Sequence, residues 1–333
     1  MEEKRRPWRR WVVLVLMVVG FVLGGILVPV QPEISVKAEN LLGEGHTWLF
    51  GLPLVNTLPT LAVTVLLIIW IAWATRNSLK KSASADMVPR GIGNVMEAFF
   101  ELLYNLTEGS AGVKWARAIF PWFATIMFYV LLANLLKLIP GFESIGVLHE
   151  AHGEGHAIQA LGGSWSNLLP QKVEEGGYIL APFFRGISVD LNFTASLALI
   201  AVVAIQVIGF RAQGIGYLSK FFNTRTMFKT PFFGAMDFLV GLLELISELS
   251  KILSFAFRLF GNMFAGVVLV AIVAGLLGKI SILPAMIMMF ELFVGVIQAF
   301  VFGMLTMVFM AQATQGHGHE EEHPETVAEA HEI

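Results

Sequence analysis

Residues 252–275 read ILSFAFRLFGNMFAGVVLVAIVAG, and Arg258 is the only charged side chain in this stretch. A helix of about 20 apolar residues is enough to cross the hydrocarbon core of a bilayer. A charge inside such a helix costs about 2.5–3.5 kcal/mol on insertion scales, so an intramembrane charge is by default a functional hypothesis. No acid lies within one helical turn of Arg258, so its partner must come from another helix or another chain.

The composition of the whole chain agrees with a membrane protein. Of 333 residues, 56% are hydrophobic and 14% are charged, whereas soluble domains carry about 25% charged residues. The net charge of −3 gives no basic surface for nucleic acid. The absence of cysteine excludes disulfides and thiolate metal sites. Because no phosphate-binding glycine loop is present either, we expect no cofactor and no metal.

Apolar segments predict an all-α integral membrane protein with about six spans. The candidate spans are residues 11–30, 59–74, 118–139, 191–210, 234–275 and 282–312. Lysine and arginine cluster in the loops that would face the cytoplasm, which puts both ends of the chain inside. Residues 11–30 have two readings, either an extra N-terminal anchor or the apolar core of a signal peptide.

Periodicity and length predict two further features of the membrane domain. Apolar residues recur at helical spacing opposite acidic ones in residues 90–108, which is typical of an amphipathic helix on the cytoplasmic surface. The last two helices would measure roughly 60 and 45 Å, against about 30 Å of hydrocarbon. We therefore expect them to form a long tilted hairpin.

The chain divides into three parts by composition. Residues 1–38 form the N-terminal anchor or signal segment, 39–315 the membrane channel domain, and 316–333 an acidic, His-rich tail that we expect to be disordered. Between the third and fourth spans, residues 141–178 form a long outside loop rich in Gly, His and Glu.

Polar side chains recur along the last two helices. At 100° per residue, five of them fall within about 80° of one another on the first of these helices: Glu244, Glu248, Lys251, Arg258 and Asn262. Glu291 and Gln298 share one face of the last helix, and Asp190 starts the span before the hairpin. These groups sort into an inner and an outer set that meet around Arg258, as expected of two water-filled pockets entering from opposite faces.

The chemistry of each side chain suggests its role. Guanidinium stays protonated at physiological pH, so Arg258 can act as a fixed positive plug and not as a proton carrier. Glu291 is the better candidate for exchanging protons, because burial favours the neutral form of a carboxyl group. Simpler readings stay open for the others: Glu248 and Lys251 as an ion pair, and Asn262 and Gln298 as hydrogen-bonding links between helices.

The segment 244–266, ELISELSKILSFAFRLFGNMFAG, resembles the a subunit of the F-type ATP synthases, above all in the run from Arg258 to Gly266. Two further segments match this family: SVDLNFT at 188–194 and QAFVF at 298–302. With the order of the spans, the resemblance covers roughly residues 45–313.

The resemblance implies a stator subunit that is not an enzyme by itself and that lies in the plasma membrane beside a ring of c subunits. Its other partners would be the peripheral-stalk b subunits, the remaining synthase subunits and the lipid bilayer. Arg258 matches the arginine that faces the ring carboxylates, and Glu244 matches the acid of the cytoplasmic half-channel. Asn262 and Gln298 match polar positions of the other half-channel. The family carries protons or, in some members, sodium.

The chain departs from the family pattern at three places. Val267 stands where many members have an acid or histidine, and Glu291 stands where histidine is frequent. Glu291 would then serve alone on the outer side. The span at 11–30 is also extra.

Three rival functions remain. A self-contained ion transporter or channel predicts an internal repeat with broken helices, and the sequence has none. A membrane metalloprotease would draw on His149, Glu150, His152, Glu154 and His156, but their spacing is not His-Glu-x-x-His; weak surface metal binding is the milder reading. The third is a scaffold without an ion path.

Overall fold

The computed structural model describes residues 38–43, 51, 53–83, 91–139, 142–151, 155–162, 165–174, 176–221, 231–277 and 282–315. The expected span at 11–30 and the expected tail at 316–333 lie outside these residues. Within them the chain forms two compact units. The first unit takes residues up to 93, 126–198 and 253–302, and the second takes 94–125, 199–252 and those from 303 onward.

Five helices of the described residues are long and apolar enough to cross a membrane. They are α1 Thr57–Ala83, α2 Ile92–Leu136, α3 Leu191–Gln213, α4 Pro231–Leu277 and α5 Ile282–Thr314. Each span expected after residue 38 coincides with one of these helices, although the span expected at 118–139 extends three residues beyond Leu136, where α2 ends. The helices therefore confirm a helical membrane protein, while a sixth span stays a prediction.

The exposed side chains of the first helix indicate whether water or lipid surrounds this fold. Leu66 and Trp73 of α1 are 64% and 63% exposed, and Ile69 and Trp70 are also exposed by more than half. Soluble monomers rarely expose a contiguous apolar patch of this kind. Lipid is the environment that makes such a surface favourable.

The second helix consists of two segments joined at Gly112. Gly112 has φ 72° and ψ 161°, a backbone conformation that glycine adopts without the steric cost of a Cβ. The segment before it contains the residues for which an amphipathic surface helix was expected. Its position at the membrane surface stays a prediction.

A four-stranded antiparallel sheet occupies most of the expected outside loop. Its strands are β1 Gly146–Glu150, β2 Gly155–Gly162, β3 Trp165–Val173 and β4 Tyr178–Pro182, in the order β1-β4-β2-β3. The sequence predicted only a long outside loop here, rich in Gly, His and Glu. Gly155 and Gly177 instead allow close backbone approach: a Cβ on Gly155 would come within 2.6 Å of the Gly177 Cα.

Candidate functional site

Arg258 lies on an exposed face of α4. Its Nη2 donates a hydrogen bond to Ser254 Oγ at 3.2 Å, one helical turn earlier. Among the residues that the structure describes, no carboxylate pairs with this guanidinium. The expectation that the chain does not neutralise Arg258 on its own helix therefore agrees with the geometry.

The surface around Arg258 is flat. Ser254 and Ala265 are exposed on the same side of the helix, and a Cβ built on Gly261 would meet nothing within 4 Å. Small side chains let the backbones of two membrane helices approach closely. This face of α4 is therefore open to another helix at the level of the arginine.

The opposite face of α4 packs against α5. The rings of Phe255 and Phe302 lie 5.1 Å apart between centroids, and Leu259 and Met263 are fully buried. This apolar contact sets the rotation of α4, so that Arg258 points away from the core of its own unit.

Asn262 and Gln298, two of the expected site residues, are hydrogen-bonded to each other. Asn262 Nδ2 donates to Gln298 Oε1 at 2.5 Å, joining α4 to α5 one turn beyond Arg258. Gln298 is buried, and its Nε2 makes no hydrogen bond to any described group. The pair thus links the helices, and it leaves one amide donor free for water or a passing group.

Glu291 forms a buried ion pair that the sequence analysis did not predict. Its Oε2 lies 3.5 Å from Nζ of Lys137, the residue directly after α2, and the side chains of Glu291 and Lys137 are 10% and 5% exposed. At an effective dielectric of 20 the attraction is about 5 kcal/mol, from which the cost of desolvating both charges must be subtracted. The expectation that Glu291 serves alone in the outer half-channel stays a prediction, and the structure adds that Lys137 is its ion-pair partner.

A glycine opposite the carboxylate makes room for this pair. Gly266 of α4 lies against Glu291 so closely that any Cβ there would collide with Oε1. Gly186 plays the same part for Lys137, whose Cβ and Cδ would lie 3.2 and 3.3 Å from an added Cβ. Both charged side chains are thus held in slots formed by backbone.

An uncharged network one turn away fixes the two helices that carry the pair. Asn134 Nδ2 donates to the Gly295 carbonyl at 3.0 Å, and Ser188 Oγ donates to Asn134 Oδ1 at 2.7 Å. A Cβ on Gly295 would lie 3.2 Å from the Asn134 Cβ. The end of α2 and the middle of α5 are therefore in close contact.

Asp190 has a structural task of its own. Its Oδ1 accepts the Asn192 backbone N–H at 2.9 Å, and its Oδ2 accepts the Thr57 hydroxyl at 3.2 Å. The carboxylate therefore caps the start of α3 and holds the start of α1. No described contact connects it to Glu291, and its role in an ion path stays a prediction.

The second unit contains a separate cluster of polar side chains around the carboxylate of Glu248. This buried carboxylate accepts hydrogen bonds from Gln206 Nε2 at 2.9 Å and from Lys251 Nζ at 2.8 Å. Tyr217 Oη donates to Gln206 Oε1 at 2.8 Å. The expected Glu248–Lys251 ion pair is confirmed, whereas Glu244 is half-buried on the same helix and its role stays a prediction.

The sequence offered two signals for the residues that were missed. Lys137 directly follows an apolar helix and lies three residues after Asn134, so a polar face was visible at the end of that span. Gln206 is the only amide among the apolar residues between Ala198 and Ile208. The positions of Tyr217 and Ser188 depend on packing that the sequence pattern does not encode.

The two histidines that the structure describes in the loop sheet lie in strands. His156 Nδ1 is 3.1 Å from the Leu169 carbonyl oxygen, and His149 is in β1. Among the described residues no group of three or more His, Cys, Asp or Glu side chains has the arrangement of a metal site. His152 and Glu154, which were part of the weaker metal hypothesis, lie outside the described residues.

Helices that cross a membrane, with charged side chains buried between them, define a multi-pass membrane protein of the kind that moves ions. The family profile "ATP synthase A chain" matches residues 58–311. The chain belongs to the ATP synthase A chain family. Membership gives it a role in proton or ion translocation, in the membrane sector of the complex and without catalysis of its own.

Named relatives match over most of their lengths. "ATP synthase subunit a" of Mycobacterium tuberculosis (strain CDC 1551 / Oshkosh) is 29% identical over 295 residues, covering 87% of this chain and 99% of the relative. "ATP synthase subunit a, sodium ion specific" of Propionigenium modestum is 29% identical over 271 residues, covering 78% and 74%. "ATP synthase subunit a" of Desulforamulus reducens is 29% identical over 269 residues, covering 78% and 79%.

Proposed function

We propose that this chain is the stator subunit a of an F-type ATP synthase, with two half-channels that carry ions to and from a rotating ring of c subunits. The observation that carries the proposal is the position of Arg258. It is a permanent cation on a flat, open helix face, and no acid among the described residues pairs with it. Carboxylates on an adjacent ring are the partners that such a cation requires.

The outer half-channel is built from the first unit. Glu291 is its ion-exchanging group, and the Asn262–Gln298 pair lies between Glu291 and Arg258 along the hairpin. Gly266, which contacts Glu291, follows Arg258 by about 12 Å of helical rise. The free Gln298 amide donor supports this path, because a buried unpaired donor in a membrane is normally satisfied by water.

The inner half-channel is built from the second unit. Glu244 is its acid by family resemblance, and it lies one turn from the buried Glu248 on α4. Glu248 is held by Gln206 and Lys251, so it orders this region as a fixed ion pair. That arrangement leaves Glu244 as the group that exchanges protons on this side.

Arg258 separates the two paths by electrostatics. A ring carboxylate close to the guanidinium is held ionised, since the pair is favoured by about 4 kcal/mol at an effective dielectric of 20. Once past the arginine, it must be neutralised before it can enter lipid, where a bare charge is costly. Ions are therefore loaded on one side of Arg258 and released on the other, and each crossing requires a step of the ring.

The proposed assembly follows from this role. The chain contacts the c ring along the exposed face of α4, and peripheral-stalk b subunits hold it against rotation. It lies in the plasma membrane with both termini in the cytoplasm, unless the N-terminal segment is cleaved. A self-contained transporter remains the alternative, and ion flux through the purified chain without a ring would favour it.

The decisive experiment replaces Arg258 in the assembled synthase. Arg258→Ala is expected to abolish ATP synthesis driven by an imposed ion gradient, while Arg117→Ala, which removes an exposed arginine from α2, is expected to leave it intact. Both complexes are first checked for full subunit content. Normal coupled synthesis by the Arg258→Ala complex would refute the proposal.

A further inference from the structure

The surroundings of the Glu291 carboxylate bear on which ion this group exchanges. Glu291 Oε2 faces the Lys137 ammonium at 3.5 Å, and the other oxygen, Oε1, is buried without a hydrogen bond to any described group. Lys137 Nζ likewise makes no hydrogen bond among the described residues. The carboxylate is thus paired on one side and open on the other.

We propose that Lys137 is a positioning residue that makes Glu291 a proton-exchanging station and keeps metal cations from binding there. This inference rests on the proposed function, since it names the ion that the outer half-channel accepts. It goes further by assigning the choice between a proton and a metal cation to Lys137, which follows α2 and lies outside the hairpin of α4 and α5.

The first step of the argument is charge. A sodium ion binds to proteins through several oxygen ligands, and a carboxylate site attracts it chiefly through its negative charge. Here an ammonium group already lies next to the carboxylate, so a metal cation would meet a neutral pair. A proton needs only one oxygen, and it can bind to Oε1 while Lys137 remains on Oε2.

The second step is geometry. Gly266 and Gly186 leave slots for the Glu291 carboxyl group and for the Lys137 stem, respectively. These backbone walls hold both side chains in the paired arrangement. They also limit the room for the ligand shell that a metal ion needs.

Gly266 is the residue that α4 places against the carboxylate, and Asn134, one turn before Lys137, uses its amide on the Gly295 carbonyl and on Ser188. Two further charged side chains lie on the Lys137 side of the pair: Glu143 Oε1 accepts the Gly186 backbone N–H at 3.1 Å, and the buried Arg185 precedes Gly186. Lys137 is the charged group that contacts the Glu291 carboxylate directly.

The expected effect of removing the ammonium follows from this arrangement. Without Lys137, the Oε2 side of the Glu291 carboxylate loses the cation that faces it at 3.5 Å, and a metal cation can then bind there.

The test uses the whole synthase in inverted vesicles, with ATP-driven proton pumping measured while the lumenal sodium concentration is varied. Lys137→Met is expected to make pumping sensitive to sodium. Lys137→Arg is expected to retain the sodium-insensitive pumping of the unaltered complex. Lys172→Met, which removes an exposed lysine from β3, is expected to leave the response to sodium unchanged.

A double variant keeps the test decisive if Lys137→Met assembles poorly. Lys137→Met combined with Glu291→Gln leaves no unpaired buried charge, and it is expected to show the profile of Glu291→Gln alone, since Lys137 acts through Glu291. A sodium-insensitive Lys137→Met complex, or additive effects in the double variant, would overturn the inference. The proposed function would still stand in that case, provided that Arg258→Ala abolishes coupling.

Discussion

Gly266 of α4 and Glu291 of α5 face each other so closely that the carboxylate occupies the space where any side chain at position 266 would begin. The acid is therefore fixed in position by a backbone contact as well as by its ion pair with Lys137 at 3.5 Å. The interface between these two helices thus positions the charged group that we propose for the outer half-channel.

This contact predicts the effect of Gly266→Ala. The added methyl group would push the Glu291 carboxylate out of its slot and away from Lys137, at a cost of about 1–3 kcal/mol, as for other overpacked interiors. ATP-driven pumping by the assembled complex is expected to fall sharply. Gly109→Ala serves as the matched control, because a Cβ there meets nothing within 4 Å; equal activity in both variants would contradict the prediction.

The Asn262–Gln298 hydrogen bond predicts a non-additive pair of substitutions. Asn262→Leu leaves the buried Gln298 amide without its donor and is expected to lower the free energy of unfolding by about 1–3 kcal/mol. Adding Gln298→Met removes the unsatisfied amide, so the double variant should recover part of this loss. Denaturation of the purified protein in detergent measures both, and a double variant less stable than the sum of its single changes would count against the assignment.

The Glu248 cluster predicts a large loss of stability in the second unit. Glu248→Ala leaves Lys251 and Gln206 without their carboxylate, and breaking a buried pair in this way costs about 3–5 kcal/mol. Glu248→Gln retains an acceptor and should lose less. The exposed Glu101 on α2 provides the control, Glu101→Ala. If unfolding in detergent proves insensitive to Glu248→Ala, the cluster does not hold this unit together.

The cap on α3 predicts a difference between two changes at Asp190. Asp190→Ala removes the acceptor for the Asn192 N–H and the Thr57 hydroxyl, and loss of a helix cap costs about 0.5–2 kcal/mol. Asp190→Asn keeps a capping oxygen and is expected to retain most of the stability. Thermal unfolding of the two variants gives the comparison, and an Asn variant as unstable as the Ala variant would show that the negative charge itself is required.

The sequence was sufficient for the helices and for the residues of the hairpin. Long apolar runs dictate helices in a membrane because every backbone group must be satisfied within its own segment. Helical spacing also brought Asn262 and Gln298 into one region, and the structure joins them directly. An arginine without an acid on its own helix was visible in the same way.

The periodicity of the sequence could not reveal that Lys137 is the partner of Glu291. Lys137 and Glu291 are far apart in the chain, and their contact depends on how α2 meets α5 through Asn134 and Gly295. The loop sheet was missed for a related reason, since Gly155 and Gly177 serve a close backbone contact that local composition does not reveal. In both cases the structure depends on contacts between segments that are distant in the chain, and the local sequence pattern does not reveal such contacts.

In the proposed rotary role, the helix surface around Arg258 would act as a bearing. Ser254, Gly261 and Ala265 have small side chains or none. A neighbouring surface could therefore move past them with few side chains to interlock. The guanidinium of Arg258 projects from this surface. Under the proposed function, a bulky apolar residue at Gly261 would act as a mechanical brake, and it is expected to slow rotation while leaving each step coupled to its ion.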